Sequence, residues 1–283
     1  MIDRVFILIG LALLLSGCGS GGGDALAAIV GVMPLAAKSM MVGIGDLVNR
    51  PDYGARLATY LDEIMAAGYK QQIRIVADRL WGPQFLQHGL PVLRAKGVRL
   101  VAILSPGNQC GIGGGGGTPD LLADQAWIRQ AITAMRDVLV AVEICNEPWI
   151  SIPQKVDEQG NVTFAELLPF PPLEFVGWNN ALYDLVKHLA PDLPVWIGTL
   201  GHRSSHEWWA QVVPLGPKYD AISLHVYGRE DRIAVGAGPP YYITETDRDD
   251  IVAAELFLYV WNEEGTPYGK RFSRRPGGGI LPT

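Results

Sequence analysis

Two short segments of this chain carry carboxylates in settings where carboxylates do chemistry. One is Glu143-Ile144-Cys145-Asn146-Glu147-Pro148-Trp149, the other Ile243-Thr244-Glu245-Thr246. Each closes an apolar run, Val138 to Ile144 and Tyr241 to Thr244, so each glutamate stands at the end of a strand. Two carboxyl groups held close across one pocket raise the pKa of one of them, which leaves a proton donor beside an ionised partner able to attack. A third segment, Leu224-His225-Val226-Tyr227, also ends an apolar run, and the strand period of two turns His225 and Tyr227 to the same side.

The elements that must position these groups alternate between apolar strands and amphipathic helices, the pattern of βαβ units around a parallel sheet. Met40 to Gly45 reads as a first strand. Arg56 to Ala67 reads as a helix with Leu57, Tyr60, Leu61, Ile64 and Met65 on one face, stopped by Gly68. Ile73 to Ala77 is a second strand, Phe85 to Ala95 a helix and Val98 to Leu104 a third strand. The glycines 113–117 fall in a long rim loop. A phosphate cradle is set aside there because no Lys-Ser/Thr follows them. Thr118-Pro119-Asp120 opens a helix to Met135, Val138 to Ile144 is the fourth strand, and Phe175 to Leu189 a helix. Strands five, six and seven are Val195 to Thr199, Ala221 to Tyr227 and Tyr241 to Thr244, with a helix around His206 to Val213, and Leu256 to Trp261 is an eighth.

This order predicts an α/β fold, a (β/α)8 TIM barrel over residues 38–265, with catalytic groups at the C-terminal strand ends. Its last quarter is expected to be trimmed or incomplete. Arg229 to Pro240 shows no helical period, and Asp247 to Ala254 is shorter than the dozen residues a parallel crossover usually takes.

With Asn146-Glu147-Pro148 on strand four and Glu245 on strand seven, the chain resembles the clan A glycoside hydrolases, over roughly residues 40–262. The resemblance implies a retaining enzyme that cleaves β-glycosidic bonds of an oligo- or polysaccharide by double displacement. Glu147 would be the acid/base, Glu245 the nucleophile, Asn146 a ligand of the sugar 2-hydroxyl and Tyr227 a partner of the nucleophile. His225, Arg74 on strand two and Trp261 on strand eight fall where that family places active-site residues. Retention calls for carboxyl groups about 5 Å apart, and Trp149, Trp261 and Trp81 offer flat apolar faces on which sugar rings stack. The pattern departs from the family at Cys145, where relatives often carry tryptophan, and at Ser105-Pro106-Gly107 in place of Asp-x-His, so the substrate class stays open.

Other readings stand beside these. His225 can be a satisfied core histidine. Arg74 can be structural, since alternate strands share barrel layers and a buried Arg74 to Glu143 ion pair is available. Asn146 has the wrong strand parity to point inward beside Glu147, so a bulge or twist must bring it round. A barrel that binds carbohydrate as a surface lipoprotein without turnover is the alternative function. A metal-dependent hydrolase ranks last, because no His-x-His follows strand one, and neither a metal nor another cofactor is expected.

Residues 1–17 read as a secretory signal: Arg4, then an apolar run from Val5 to Leu15, too short for the roughly 20 residues that span a membrane. Leu15-Ser16-Gly17-Cys18 resembles the bacterial lipobox, which implies lipid on Cys18, a membrane-anchored lipoprotein and an outer-membrane location. Residues 18–37 would be a Gly-rich tether and residues 266–283 a basic Gly/Pro-rich tail, with Lys270, Arg271, Arg274 and Arg275 solvated. The net charge of −6 argues against nucleic acid as a partner. A monomer acting on carbohydrate is expected. Cys110 and Cys145 would fall beside each other on the rim, where an oxidising compartment lets them pair. Two buried free thiols are the alternative.

Overall fold

The computed structural model describes residues 38–43, 47–104, 112–113, 119–149, 155–156, 162–164, 167–200, 203–226, 241–246, 256–258, 272–274 and 280–282. The signal-like run, Cys18 and the tether lie outside them. Among the described residues, no helix is long and apolar enough to cross a membrane.

Eight parallel strands close into a barrel. In chain order they are β1 (Lys38–Met41), β2 (Gln72–Val76), β3 (Arg99–Ile103), β4 (Leu139–Glu143), β5 (Val195–Leu200), β6 (Ala221–Val226), β7 (Tyr241–Thr246) and β8 (Leu256–Leu258). Each pairs with its sequence neighbours, and β8 returns to β1 with Lys38 opposite Leu256. All eight strands expected from the sequence are present and the ring is complete, so of the two expectations for the last quarter, trimmed or incomplete, the second does not hold. The connections β6 to β7 and β7 to β8 lie outside the described residues. Strand β7 runs on through Glu245, two residues beyond the expected end at Thr244.

Helices follow β1 to β5: α1 (Tyr53–Ala66), α2 (Gly82–Gln84, a π segment Phe85–Gly89, then Leu90–Lys96), α3 (Leu121–Met135), α4 (Pro172–Leu189) and α5 (Arg203–Val212). Their apolar stripes cover the outside of the sheet. On α1, Tyr53, Leu57, Leu61 and Ile64 are buried, close to the face expected from the sequence. The π segment precedes Pro91, whose missing N–H and ring spoil the regular α ladder one turn back, and the widened turn takes up the mismatch. Asp120 caps α3, its Oδ1 accepting from the Leu122 and Ala123 amides.

Strand parity divides the interior in two. Ile73, Ile75, Leu100, Ala102, Val142, Val195 and Ile197 face the helices in the main core. The alternate residues fill the barrel lumen, with Val101, Ala141, Trp196 and Ala221 in one cluster and Met41, Val76 and Ile103 in another. Two further pairings lie off the barrel. Ile112–Gly113 pairs antiparallel with Leu167–Leu168, which ties the glycine-rich rim loop to the β4–α4 connection. Phe272–Arg274 pairs antiparallel with Ile280–Pro282 in the basic tail.

Candidate active site

Arg74, from the middle of β2, crosses the lumen with no exposed surface. Its Nε donates to Glu143 Oε2 at 2.9 Å, and its Nη2 lies 2.8 Å from the same oxygen. Ser223 Oγ on β6 donates to the other oxygen, Glu143 Oε1, at 3.0 Å. The carboxylate of β4 is thus held from β2 and β6 at once. The ion pair that the sequence left as an alternative is the arrangement present, and Arg74 lies in the barrel interior rather than at its surface.

Above this pair the chain leaves regular β structure. Strand β4 ends at Glu143, and Glu147 adopts φ +50°, a left-handed conformation uncommon for a residue with a Cβ. Between the strand end at Glu143 and that turn the alternation is lost, and Asn146 faces inward: it is 3% exposed, and its Oδ1 accepts from Arg74 Nη2 at 2.8 Å. The turn is pinned on both sides. The Leu104 amide donates to Glu143 O, the Ile144 amide to Trp196 O, and the Phe170 amide to Pro148 O at 2.7 Å. Cys145 is fully buried and disulfide-bonded. Its expected partner, Cys110, lies outside the described residues.

The Glu147 side chain is 16% exposed, and its Oε1 lies 2.9 Å from His225 Nδ1. His225 is 2% exposed, and its Nε2 faces Arg74 Nη2 at 3.5 Å. The backbone register sets His225 of β6 opposite Glu245 of β7, beside a shift in register between Leu224 and His225. Glu245 is described in its backbone only. Tyr227 and Trp261 lie outside the described residues. Trp149 and Trp81 are half-buried at the rim next to Glu147 and after β2 respectively.

The rim is stiffened from below. Asp78, after β2, accepts from the Leu80 and Trp81 amides through Oδ1. Asp124 on α3 accepts from Arg79 Nε and from Trp178 Nε1 of α4, both at 2.9 Å. Burial pushes the Asp124 carboxyl above the ordinary aspartate range, despite the hydrogen bonds from Trp178, the Asp120 amide and Arg79. Among the described residues, no group of three or more His, Cys, Asp or Glu side chains gathers to hold a metal ion.

Sequence reasoning missed Ser223 and Gly198. Each left a signal: Ser223 is a lone hydroxyl at His225 parity on an apolar strand, and Gly198 is a glycine inside a strand, which marks a close approach.

No family model matches the chain, and no curated protein does. Among solved structures it is similar to the GH53 catalytic domain of Ignisphaera aggregans, at 15% identity and a TM-score of 0.49, over 89% of this chain and 91% of that one. It is also similar to the catalytic domain of a mannanase from Streptomyces sp. SirexAA-E, at 14% identity and 0.49, over 83% and 78%. A third is the beta-1,4-mannanase of the sea hare Aplysia kurodai, at 12% identity and 0.48, over 79% and 87%.

Proposed function

We propose that this protein hydrolyses β-glycosidic bonds with retention of anomeric configuration, with Glu147 as acid/base and Glu245 as nucleophile. The observation that carries the reading is the junction at His225. Its ring holds the Glu147 carboxyl group, and its backbone stands in register with Glu245, so both glutamates belong to one end of the barrel. That is the end where barrel enzymes build their active sites. The left-handed backbone at Glu147 adds to it, since such strain gathers where function requires it.

In the first step a Glu245 carboxylate oxygen attacks the anomeric carbon while Glu147 passes its proton to the departing glycosidic oxygen, which leaves as an alcohol. A glycosyl ester on Glu245 results. In the second, Glu147 takes a proton from water as the water oxygen displaces Glu245, which restores both groups. General acid/base help of this kind is worth about 10²- to 10⁴-fold. Asn146 offers a hydrogen bond to a ring hydroxyl, and Trp149 a face for an adjoining sugar.

Incubation of the purified protein with a panel of β-linked polysaccharides and aryl β-glycosides tests this. Release of sugar whose first-formed anomer keeps the substrate configuration is expected. An inverted first product, or no turnover on any β-glycoside, would overturn it.

We infer separately that lipid on Cys18 holds the protein at the cell envelope, on the outer membrane. The support is in the sequence, where a short apolar run is followed by Leu15-Ser16-Gly17-Cys18 and a glycine-rich stretch.

A further inference from the structure

The lumen of this barrel holds two apolar clusters, Val101, Ala141, Trp196 and Ala221 in one and Met41, Val76 and Ile103 in the other. Arg74 and Glu143 sit among them with no exposure. A buried ion pair adds little stability over well-packed apolar residues of the same volume, because desolvation offsets the attraction. Its presence points to orientation rather than stability, and three contacts say what is oriented.

First, Ser223 takes Oε1 of Glu143 and Arg74 takes Oε2, which fixes the plane of the carboxylate and, through it, the guanidinium. Second, a guanidinium has donors only, so the Asn146 atom 2.8 Å from Nη2 is the amide oxygen and the NH₂ group is turned the other way. Third, Nη2 of the guanidinium stands 3.5 Å from His225 Nε2, so a proton on Nε2 would point at a cation that has donors only. The imidazole proton is then left to Nδ1, which lies 2.9 Å from Glu147 Oε1.

We propose that Glu143 is a positioning residue of this site: by holding Arg74 it fixes neutral His225 with its proton on Nδ1, so that Glu147 receives an N–H from His225 and exchanges its catalytic proton only with the substrate and water. Glu143 acts through Arg74 and touches no reacting atom. The catalytic consequence rests on the function proposed above. The tautomer does not.

Nitrogen-15 NMR of the full chain labelled at histidine reads the tautomer directly, with a His225→Gln spectrum to assign the resonance among the five histidines. At neutral pH the wild type is expected to show one neutral form of His225, protonated at Nδ1. A proton on Nε2, or on both nitrogens, overturns the proposal without any variant having to fold. The Arg74→Met/Glu143→Met double replacement removes the charges together, and there the preference for Nδ1 is expected to vanish. A folded double variant that keeps it overturns the proposal.

The kinetic arm uses Glu143→Gln with aryl β-glycosides. A loss of about 10²-fold in kcat is expected for poor leaving groups, as a misplaced acid would give, with under about tenfold for good ones, which need little protonation. Equal losses on both would show a merely structural role and overturn it. The NMR arms give their answer whether or not the protein cleaves glycosides, so failure here and failure of the glycosidase reading are told apart.

Discussion

Gly198 of β5 stands directly against the ring of Pro148, the residue after Glu147: a Cβ at position 198 would lie 2.8 Å from Pro148 Cδ and 2.9 Å from Cγ. No other residue type fits that approach without moving the turn that carries Glu147. Gly198→Ala is therefore expected to cost about 1–3 kcal/mol as an overpacking change. Turnover should fall by about 10²-fold as Glu147 shifts from its place. Adding Pro148→Ala should recover most of the lost stability. Thermal unfolding of the single and double variants checks this, and a single variant as stable as wild type would refute it.

The two glutamates should separate by role. Glu245→Gln is expected to abolish formation of the glycosyl ester, because an amide does not serve as the attacking group. Glu147→Gln should leave the first step nearly intact for aryl glycosides with good leaving groups while slowing the second, with accumulation of the ester. Mass spectrometry after treatment with a 2-deoxy-2-fluoro glycoside should find the label on Glu245. A label on any other residue would reverse the assignment.

Removing one member of the buried pair should be far worse than removing both. Arg74→Met alone leaves Glu143 buried without its guanidinium, at a cost of about 3–5 kcal/mol, whereas the double change to methionine should lie within about 1–2 kcal/mol of wild type. Denaturant unfolding of the three proteins decides it, and a double variant as unstable as the single would contradict it.

Asp220 joins α4 to the starts of β5 and β6. It accepts from the Val195 amide at 2.8 Å and from Tyr183 Oη at 2.9 Å, and pairs with Lys187 Nζ at 2.6 Å. Burial alone would raise its pKa, but the bonds from Lys187, the Val195 amide and Tyr183 outweigh it, and the carboxyl is held below the ordinary aspartate value. A depressed folded value gives stability that is complete above the unfolded pKa of about 3.9 and is lost as the pH falls through the lower folded value. Asp220→Asn should thus cost about 1–2 kcal/mol at pH 7, where charge-assisted bonds are replaced by neutral ones at a partly exposed site. The difference from wild type should shrink below about pH 4. Unfolding free energies at both pH values test this, and a gap that widened in acid would have the wrong sign.

The anchor is tested at Cys18. The wild-type chain should partition with membranes and Cys18→Ser should not, as judged by fractionation of expressing cells. Unchanged partitioning of the variant would remove the lipid from the account.

What the sequence determined by itself is the order of the eight strands and five of the helices. Apolar periodicity is a local property, and each strand writes its own inward and outward faces. The same parity turned His225 inward and set Glu147 and Glu245 at strand ends before any partner was known. Boundaries moved by a few residues where proline or backbone pairing decided them, as at Pro83 in the first turn of α2 and at Glu245 in β7. The tertiary structure alone decided which inward residues meet. Arg74, Glu143 and Ser223 come from β2, β4 and β6, and only closure of the barrel brings them within hydrogen-bond reach. It alone decided that Asn146 turns inward to Arg74, where the chain has left the strand after Glu143, and that Pro148 lies against a glycine on the next strand. Neither the break nor its support is encoded within the segment that carries them, since both depend on which side chain stands across a strand boundary.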